Sequence, residues 1–273
     1  MTPAESEWAE SRLAEELRSL DRVVVAFSGG VDSATLANAA LRVLGRERML
    51  AVTADSDSLA TGELEHCAEL AQQWDMPWRS VRTNELSNIN YVANDGTRCF
   101  WCKEALMEAL APVAADLGAT ITLGVNVDDL GDHRPGQKAA RERGARFPLV
   151  DAGLHKSDIR RLAKQWGLPI WDRPAMPCLS SRVPYGTPVT VRVLSRIDRA
   201  ESELRRLGFA DLRVRHYDDT ARIEVPTGDM AAVVEQSEAI VGVLQSVGYR
   251  YVTLDLAGLR SGNLNAVLGN GSA

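Results

Sequence analysis

The stretch Arg22-Val23-Val24-Val25-Ala26-Phe27-Ser28-Gly29-Gly30-Val31-Asp32-Ser33 constrains this chain more than any other. Its β-branched apolar run reads as a buried strand, Ser28-Gly29-Gly30 as a tight turn, and residues 34–44 as a helix. A side chain at either glycine would stop the backbone N–H groups from closing on an anion, and the helix N-terminus behind them adds partial positive charge. Ser28 and Ser33 add hydroxyl donors. No Lys follows the glycines and the spacing is too short for a Walker A loop, which excludes a kinase or GTPase of that design.

The remainder of the first half alternates. Strand patterns at 49–56, 78–81, 120–124 and 147–150 are interleaved with helical patterns at 63–73, 104–117 and 156–165, with a polar loop over 84–97. This predicts an α/β fold with a parallel sheet covered on both faces over roughly residues 1–170. Ala54, Ser56 and Gly124 lie at the carboxyl ends of two of these strands, where open α/β sheets bind ligands, and Asn126, Asp128 and Asp129 follow the last of them. From Val189 the pattern changes to a helix up to 207, a hairpin pattern about Asp218-Asp219, a helix over 230–247 and a strand over 251–256. The expected division is an α/β domain over 1–175 and a smaller α+β domain over 176–273.

With 273 residues, 45% hydrophobic and 25% charged, the chain has the make-up of an ordinary globular protein. Its first twenty residues combine five glutamates with Trp8, Leu13 and Leu17 at helical spacing, unlike a signal or transit peptide. No apolar run is long enough to span a bilayer, so a cytoplasmic setting without membrane partners is expected. A net charge of −6 argues against a large nucleic-acid footprint, whereas a small anionic ligand needs only a few local cations.

Four cysteines are too few for a disulfide scaffold. Cys67 falls on the apolar side of the 63–73 helix and reads as a core residue. Cys99 and Cys102 form a CxxC at a helix start between Arg98 and Lys103, where cations and the helix terminus favour thiolates. That pattern alone is compatible with a redox pair, half a zinc site, part of an iron–sulfur site or no function. Cys178 lies in a Pro-rich structured loop, Arg173-Pro174-Ala175-Met176-Pro177-Cys178-Leu179-Ser180-Ser181-Arg182, close to Arg182.

The loop Ser28 to Ser33 resembles the PP-loop of the N-type ATP pyrophosphatases, whose pattern is Ser-Gly-Gly-x-Asp-Ser after a first strand. Further motifs are similar to one branch of that superfamily, the LarE family of ATP-dependent sulfur transferases. They are Asp132-His133-Arg134-Pro135-Gly136, the loop from Cys178 to Gly186, Arg213-Val214-Arg215 with Ala221-Arg222-Ile223-Glu224, and Gly248 to Asp255. The match runs over nearly the whole chain. The resemblance implies that ATP adenylylates a carboxylate of pyridinium-3,5-biscarboxylic acid mononucleotide and that a sulfur nucleophile then displaces AMP. Its product belongs to the nickel-pincer nucleotide cofactor used in lactate racemization. Ser28, Gly29, Gly30, Ser33, Ala54, Ser56 and Gly124 would hold ATP, with Asp32 near its Mg²⁺. Ser180, Arg182, Arg213 and Arg215 would hold the phosphate and carboxylates of the substrate, since Arg forks bind both bidentately. Cys178, Asp32, Arg213 and Glu224 are the expected catalytic residues, with Glu201 and Asp229 as further acidic positions.

The same resemblance implies two ways to supply sulfur. Single-cysteine members sacrifice the sulfur of the residue matching Cys178, whereas three-cysteine members hold a four-iron, four-sulfur (4Fe-4S) cluster. The present chain has Cys99, Cys102 and Cys178, which leave one iron of such a cluster open to an extra sulfide, so the cluster route is expected, with sulfide or another sulfur donor as partner. A homo-oligomer, a hexamer by family analogy, is also expected. Competing readings are a PP-loop tRNA thiolase, which the acidic charge and lack of a basic appended segment oppose, and a nucleotide-binding module whose CxxC is a zinc clip. An amidating ligase would need an ammonia source, and the chain shows no glutaminase motif.

Overall fold

A computed structural model describes residues 3–131 and 135–260. The chain divides into two compact units. The first comprises residues up to Ser56, Gly62–Glu85 and Cys99–Met176; the second comprises Asp57–Thr61, Leu86–Arg98 and the chain from Pro177 onward.

In the first unit, β1 (Val23–Ala26), β2 (Met49–Asp55), β3 (Trp78–Arg82) and β4 (Thr120–Leu123) form a sheet of order β3-β2-β1-β4 in which every pairing is parallel. The central strand is apolar throughout because both of its faces are covered. Val23 and Val25 enter one core with α1 (Pro3–Ser19), α2 (Val31–Leu44), α3 (Glu63–Gln73) and α8 (Lys156–Gln165). Val24 enters the other, with Met107, Leu110 and Val113 of α5 (Arg98–Leu117) and Ala140 of α6 (Pro135–Glu142). The alternation along one strand thus builds two layers.

One expected strand is corrected. Residues 147–150 do not form a strand: Pro148–Asp151 is a single helical turn, α7, with Pro148 at its start. Pro148 has no N–H to give a ladder, but its fixed φ suits a first helical position. The sheet contact falls one residue earlier, as an isolated bridge between Arg146 and Thr122. The helix carrying the CxxC begins at Arg98, so Cys99 and Cys102 sit in its opening turns. The Asp132-His133-Arg134 part of the expected turn lies outside the described residues.

The second unit holds α4 (Ile89–Val92), α9 (Val191–Arg206), α10 (Met230–Glu235), α11 (Ser237–Val247) and a sheet of order β5-β6-β7. The strands are β5 (Arg213–Tyr217), β6 (Thr220–Glu224) and β7 (Tyr251–Leu254). Strands β5 and β6 form the expected hairpin, with Arg213 opposite Glu224 and Arg215 opposite Arg222; β7 runs parallel to β6. The turn places Asp218 at φ 50°, a conformation aspartate tolerates better than most residues. Val214, Ala221 and Ile223 pack with Ala200, Leu204, Ile240 and Leu244, so the two-residue period turns Arg213, Arg215, Arg222 and Glu224 to the other face. The single helix expected over 230–247 is broken at Gln236 (φ −96°, ψ 15°). The buried positions 233, 240, 244 and 247 keep helical spacing across that break, which is why periodicity does not reveal it. Among the described residues no helix is long and apolar enough to cross a membrane.

Candidate functional site

The anion loop is built by local forces. Gly29 has φ 68°, and a Cβ there would lie 2.9 Å from His66 Cδ2 and 3.1 Å from Cys67 Sγ, so both conformation and space require glycine. Gly30 is different: a Cβ would meet nothing nearer than Ser28 Oγ at 3.6 Å. Protein packing leaves open the space that a side chain at Gly30 would fill, as an anion cradle requires. The Ser33 hydroxyl ties the loop together, accepting from Ser28 N at 3.1 Å and donating to Gly30 O at 3.1 Å. The Ser28 and Ser33 hydroxyls are 3.0 Å apart.

The end of β4 abuts this loop. A Cβ on Gly124 would fall 2.7 Å from Ser33 N, so the close approach of two backbones demands glycine there. Asp32, in the first turn of α2, pairs with Lys156 and accepts from Asn126 Nδ2 at 3.4 Å. Sequence reasoning missed Lys156, whose only signal was its place at the start of a predicted helix. Asp128 accepts from Lys156 N at 2.7 Å and lies 2.6 Å from His155 Nδ1. That bond to Asp128 raises the His155 pKa above its ordinary 6.5 and lowers that of Asp128. Ala54 is half-buried, and the Ser56 hydroxyl donates to Glu85, a buried carboxylate that sequence reasoning also missed.

In the second unit, the Cys178 loop is an exposed thiol on a buried frame. Ser180 is fully buried, its Oγ 2.6 Å from Tyr91 Oη and 3.0 Å from Ser58 Oγ, and its carbonyl accepts from Arg98 Nη1 at 2.8 Å. Asn94 donates to the carbonyls of Pro184 (2.7 Å) and Thr187 (2.8 Å). Arg182 is 2% exposed and commits its whole fork: Nε and Nη2 to Glu201 at 2.8 and 3.1 Å, and Nη1 to Pro177 O, Ser181 Oγ and Cys178 O. Glu201, fully buried, also accepts from Arg205 Nη2 and Val214 N. Ser180 and Arg182 therefore shape the loop through its backbone.

Arg215 donates to Ser181 O at 2.6 Å and to Glu224 at 2.8 Å, and its Nε is buried with no partner. Arg213 is buried and donates to Arg260 O; burial first, then the charges of Arg215 and Arg182, lower its pKa. Among the described residues, Arg182, Arg205, Arg213, Arg215 and Arg222 gather around the fully buried Glu201 and Glu224, with Asp255 also pairing with Arg222 at 3.6 Å, so the arginines outnumber the carboxylates they pair with, which suits an anion. Asp229 is exposed at the start of α10.

Cys67 is buried, and burial pushes its thiol up to about 11, leaving it inert at neutral pH. Cys99 is exposed and Cys102 half-buried. Among the described residues no three His, Cys, Asp or Glu side chains are gathered as a metal site.

A parallel sheet with a Ser-Gly-Gly-x-Asp-Ser loop between its central strand and the following helix defines a PP-loop enzyme of the ATP pyrophosphatase type. Residues 6–97 match the NAD synthase family. The chain is 47% identical over 266 residues to an uncharacterized protein of Synechocystis sp., covering 95% of this chain and 98% of that one. It is 38% identical over 260 residues to the pyridinium-3,5-bisthiocarboxylic acid mononucleotide synthase of Lactiplantibacillus plantarum (95% and 94% covered). A protein of Methanocaldococcus jannaschii is 24% identical over 253 residues (92% and 96%). The chain belongs to the family of the pyridinium-3,5-bisthiocarboxylic acid mononucleotide synthases, LarE.

Proposed function

We propose that this protein is an ATP-dependent sulfur transferase that converts a carboxylate of pyridinium-3,5-biscarboxylic acid mononucleotide into a thiocarboxylate, in the synthesis of the nickel-pincer nucleotide cofactor of lactate racemization. The observation that carries this reading is the exposed Cys178 thiol on a loop whose neighbouring residues are pinned by buried Arg182, Ser180 and Tyr91. The likeness to the Lactiplantibacillus synthase supports it. A substrate carboxylate oxygen attacks the α-phosphorus of ATP and pyrophosphate leaves, converting an inert carboxylate into an acyl-adenylate with a good leaving group. The loop Ser28 to Ser33 holds the phosphates, and Asp32, beside Lys156, is the carboxylate that would serve Mg²⁺. Ala54, Ser56 and Gly124 border the nucleotide. Arg213 and Arg215 hold the anionic groups of the substrate, with Glu224 setting Arg215. Sulfur then attacks the acyl carbon and AMP departs.

For the sulfur, we favour a 4Fe-4S cluster ligated by Cys99, Cys102 and Cys178, none of which is tied up in a disulfide. Held by those three cysteines, the cluster would supply an added sulfide as the sulfur nucleophile. The alternative spends Cys178 itself: its Sγ takes the acyl group, then the Cβ–S bond breaks with loss of the Cα proton, leaving dehydroalanine. A hexamer, a sulfide donor and a cytoplasmic setting complete the proposal. The test is pyrophosphate release that depends on the added mononucleotide, together with iron and acid-labile sulfide in protein purified without oxygen. About four irons per chain, lost in Cys99→Ala, support the cluster. Absence of iron after reconstitution, with dehydroalanine at position 178 after turnover, would replace it with the sacrificial route. ATP hydrolysis indifferent to the mononucleotide would refute the function.

A further inference from the structure

Arg173 opens the Pro-rich stretch yet takes no part in the chemistry above. Its Nη1 donates to Gly29 O at 3.2 Å, and its Nη2 donates to Glu63 at 2.7 Å. Both side chains are largely buried, at 21% and 13% exposed. Arg160 holds the backbone around it, donating to Trp171 O at 2.8 Å and to Arg173 O at 3.1 Å. His66, on the same helix as Glu63, packs against Gly29, its Cδ2 2.9 Å from where a Cβ on Gly29 would fall. These groups converge on one peptide unit, Gly29–Gly30, the softest in the loop because neither residue has a side chain.

A trans peptide points its C=O and N–H in opposite directions, and every described peptide here is trans. A guanidinium that captures the Gly29 carbonyl therefore turns the Gly30 N–H to the opposite side. We propose that Arg173, oriented by Glu63, is a positioning residue that locks the Gly29–Gly30 peptide with the Gly30 N–H presented to the pyrophosphate of ATP. This rests on the reading of the loop as an ATP site. Without the lock, that peptide is free to flip, and flipping places a carbonyl oxygen where the anion's donor should be, so that binding must first reorganise the loop. Arginine suits the task because one planar group donates to a carbonyl and a carboxylate at once.

The test compares Arg173→Met, Arg173→Lys and Glu63→Leu with the unaltered chain, using inorganic pyrophosphate binding by calorimetry and ATP-dependent pyrophosphate release with the mononucleotide. The proposal expects Arg173→Met to weaken pyrophosphate binding and raise KM for ATP about tenfold or more, with kcat within about threefold. Glu63→Leu follows in the same direction, and Arg173→Lys, which keeps one donor, falls between. A merely structural role lowers the active fraction, hence kcat, and leaves KM alone. Pyrophosphate affinity and KM within threefold of the unaltered chain in Arg173→Met overturn the proposal. If Arg173→Met fails to fold, the KM values of Glu63→Leu and Arg173→Lys decide between the lock and a structural role in its place. If the unaltered chain binds neither pyrophosphate nor ATP, the ATP-site reading fails; binding that Arg173→Met retains defeats the lock alone.

Discussion

Replacing Glu201 by alanine removes the acceptor of four N–H groups at once: Arg182 Nε and Nη2, Arg205 Nη2 and Val214 N. Arg205 is 29% exposed and can turn to water, but Arg182, at 2%, cannot. Stranding one partner of a buried ion pair costs about 3–5 kcal/mol, so Glu201→Ala is expected to destabilise the chain by that amount. The double variant Glu201→Leu/Arg182→Met replaces the pair with apolar groups and should recover part of the loss, because no buried charge is left behind while Val214 N and the carbonyls of Pro177 and Cys178 still lose their partners. Urea unfolding of the full chain, followed by circular dichroism, reads both, and the double-mutant cycle isolates the coupling. Since Arg182 also holds the carbonyls of Pro177 and Cys178, the rate of Cys178 alkylation, read by peptide mass spectrometry, should change in the single variant. A cost below about 1 kcal/mol for Glu201→Ala, or a double variant worse than the single one, would show that the pair does not carry the loop as argued.

The two loop glycines should separate: Gly29→Ala forces φ 68° on a side chain and destabilises by about 1–2 kcal/mol or more, while Gly30→Ala stays within about 1 kcal/mol in thermal melts yet weakens ATP binding by calorimetry. Gly124→Ala, 2.7 Å from Ser33 N, should cost about 1–3 kcal/mol in the same melts and loosen the loop's grip on ATP. His155 should titrate above 6.5 by NMR and fall back in Asp128→Asn. Because the folded pKa of His155 is raised, its contribution is complete below 6.5 and fades as pH climbs through the folded value, while that of Asp128, whose pKa is lowered, fades as pH falls below 3.8; the pair therefore supports the fold most between these values. Cys67 should resist alkylation at pH 8 under conditions that modify Cys178, and equal rates would contradict its burial.

Much of the fold was legible because its signals are local. The loop from Val23 to Ser33 contains its own strand, turn and helix start, and the helix over 63–73 shows its apolar stripe within eleven residues. The hairpin could be read from alternation about Asp218-Asp219. Several departures from those readings come from a distant neighbour, while Pro148 also turns its own segment from strand to helix. The pattern of 147–150 suits a strand until the sheet takes Arg146 instead, and Asp32 reads as a solitary carboxylate until Lys156 arrives from 124 residues away. Ser180 and Arg182 look like free polar groups in a loop, yet Tyr91, Ser58 and Glu201 bury them. That Asp57–Thr61 and Leu86–Arg98 cluster with the C-terminal unit also has no local signature. By itself, then, the amino-acid order determined the elements and the residue types able to do the chemistry, because propensity and periodicity act over a few residues. Which polar groups are consumed in holding the structure, and which stay exposed to react, was decided only by tertiary packing, because burial and hydrogen-bond partners are properties of residues far apart in the chain.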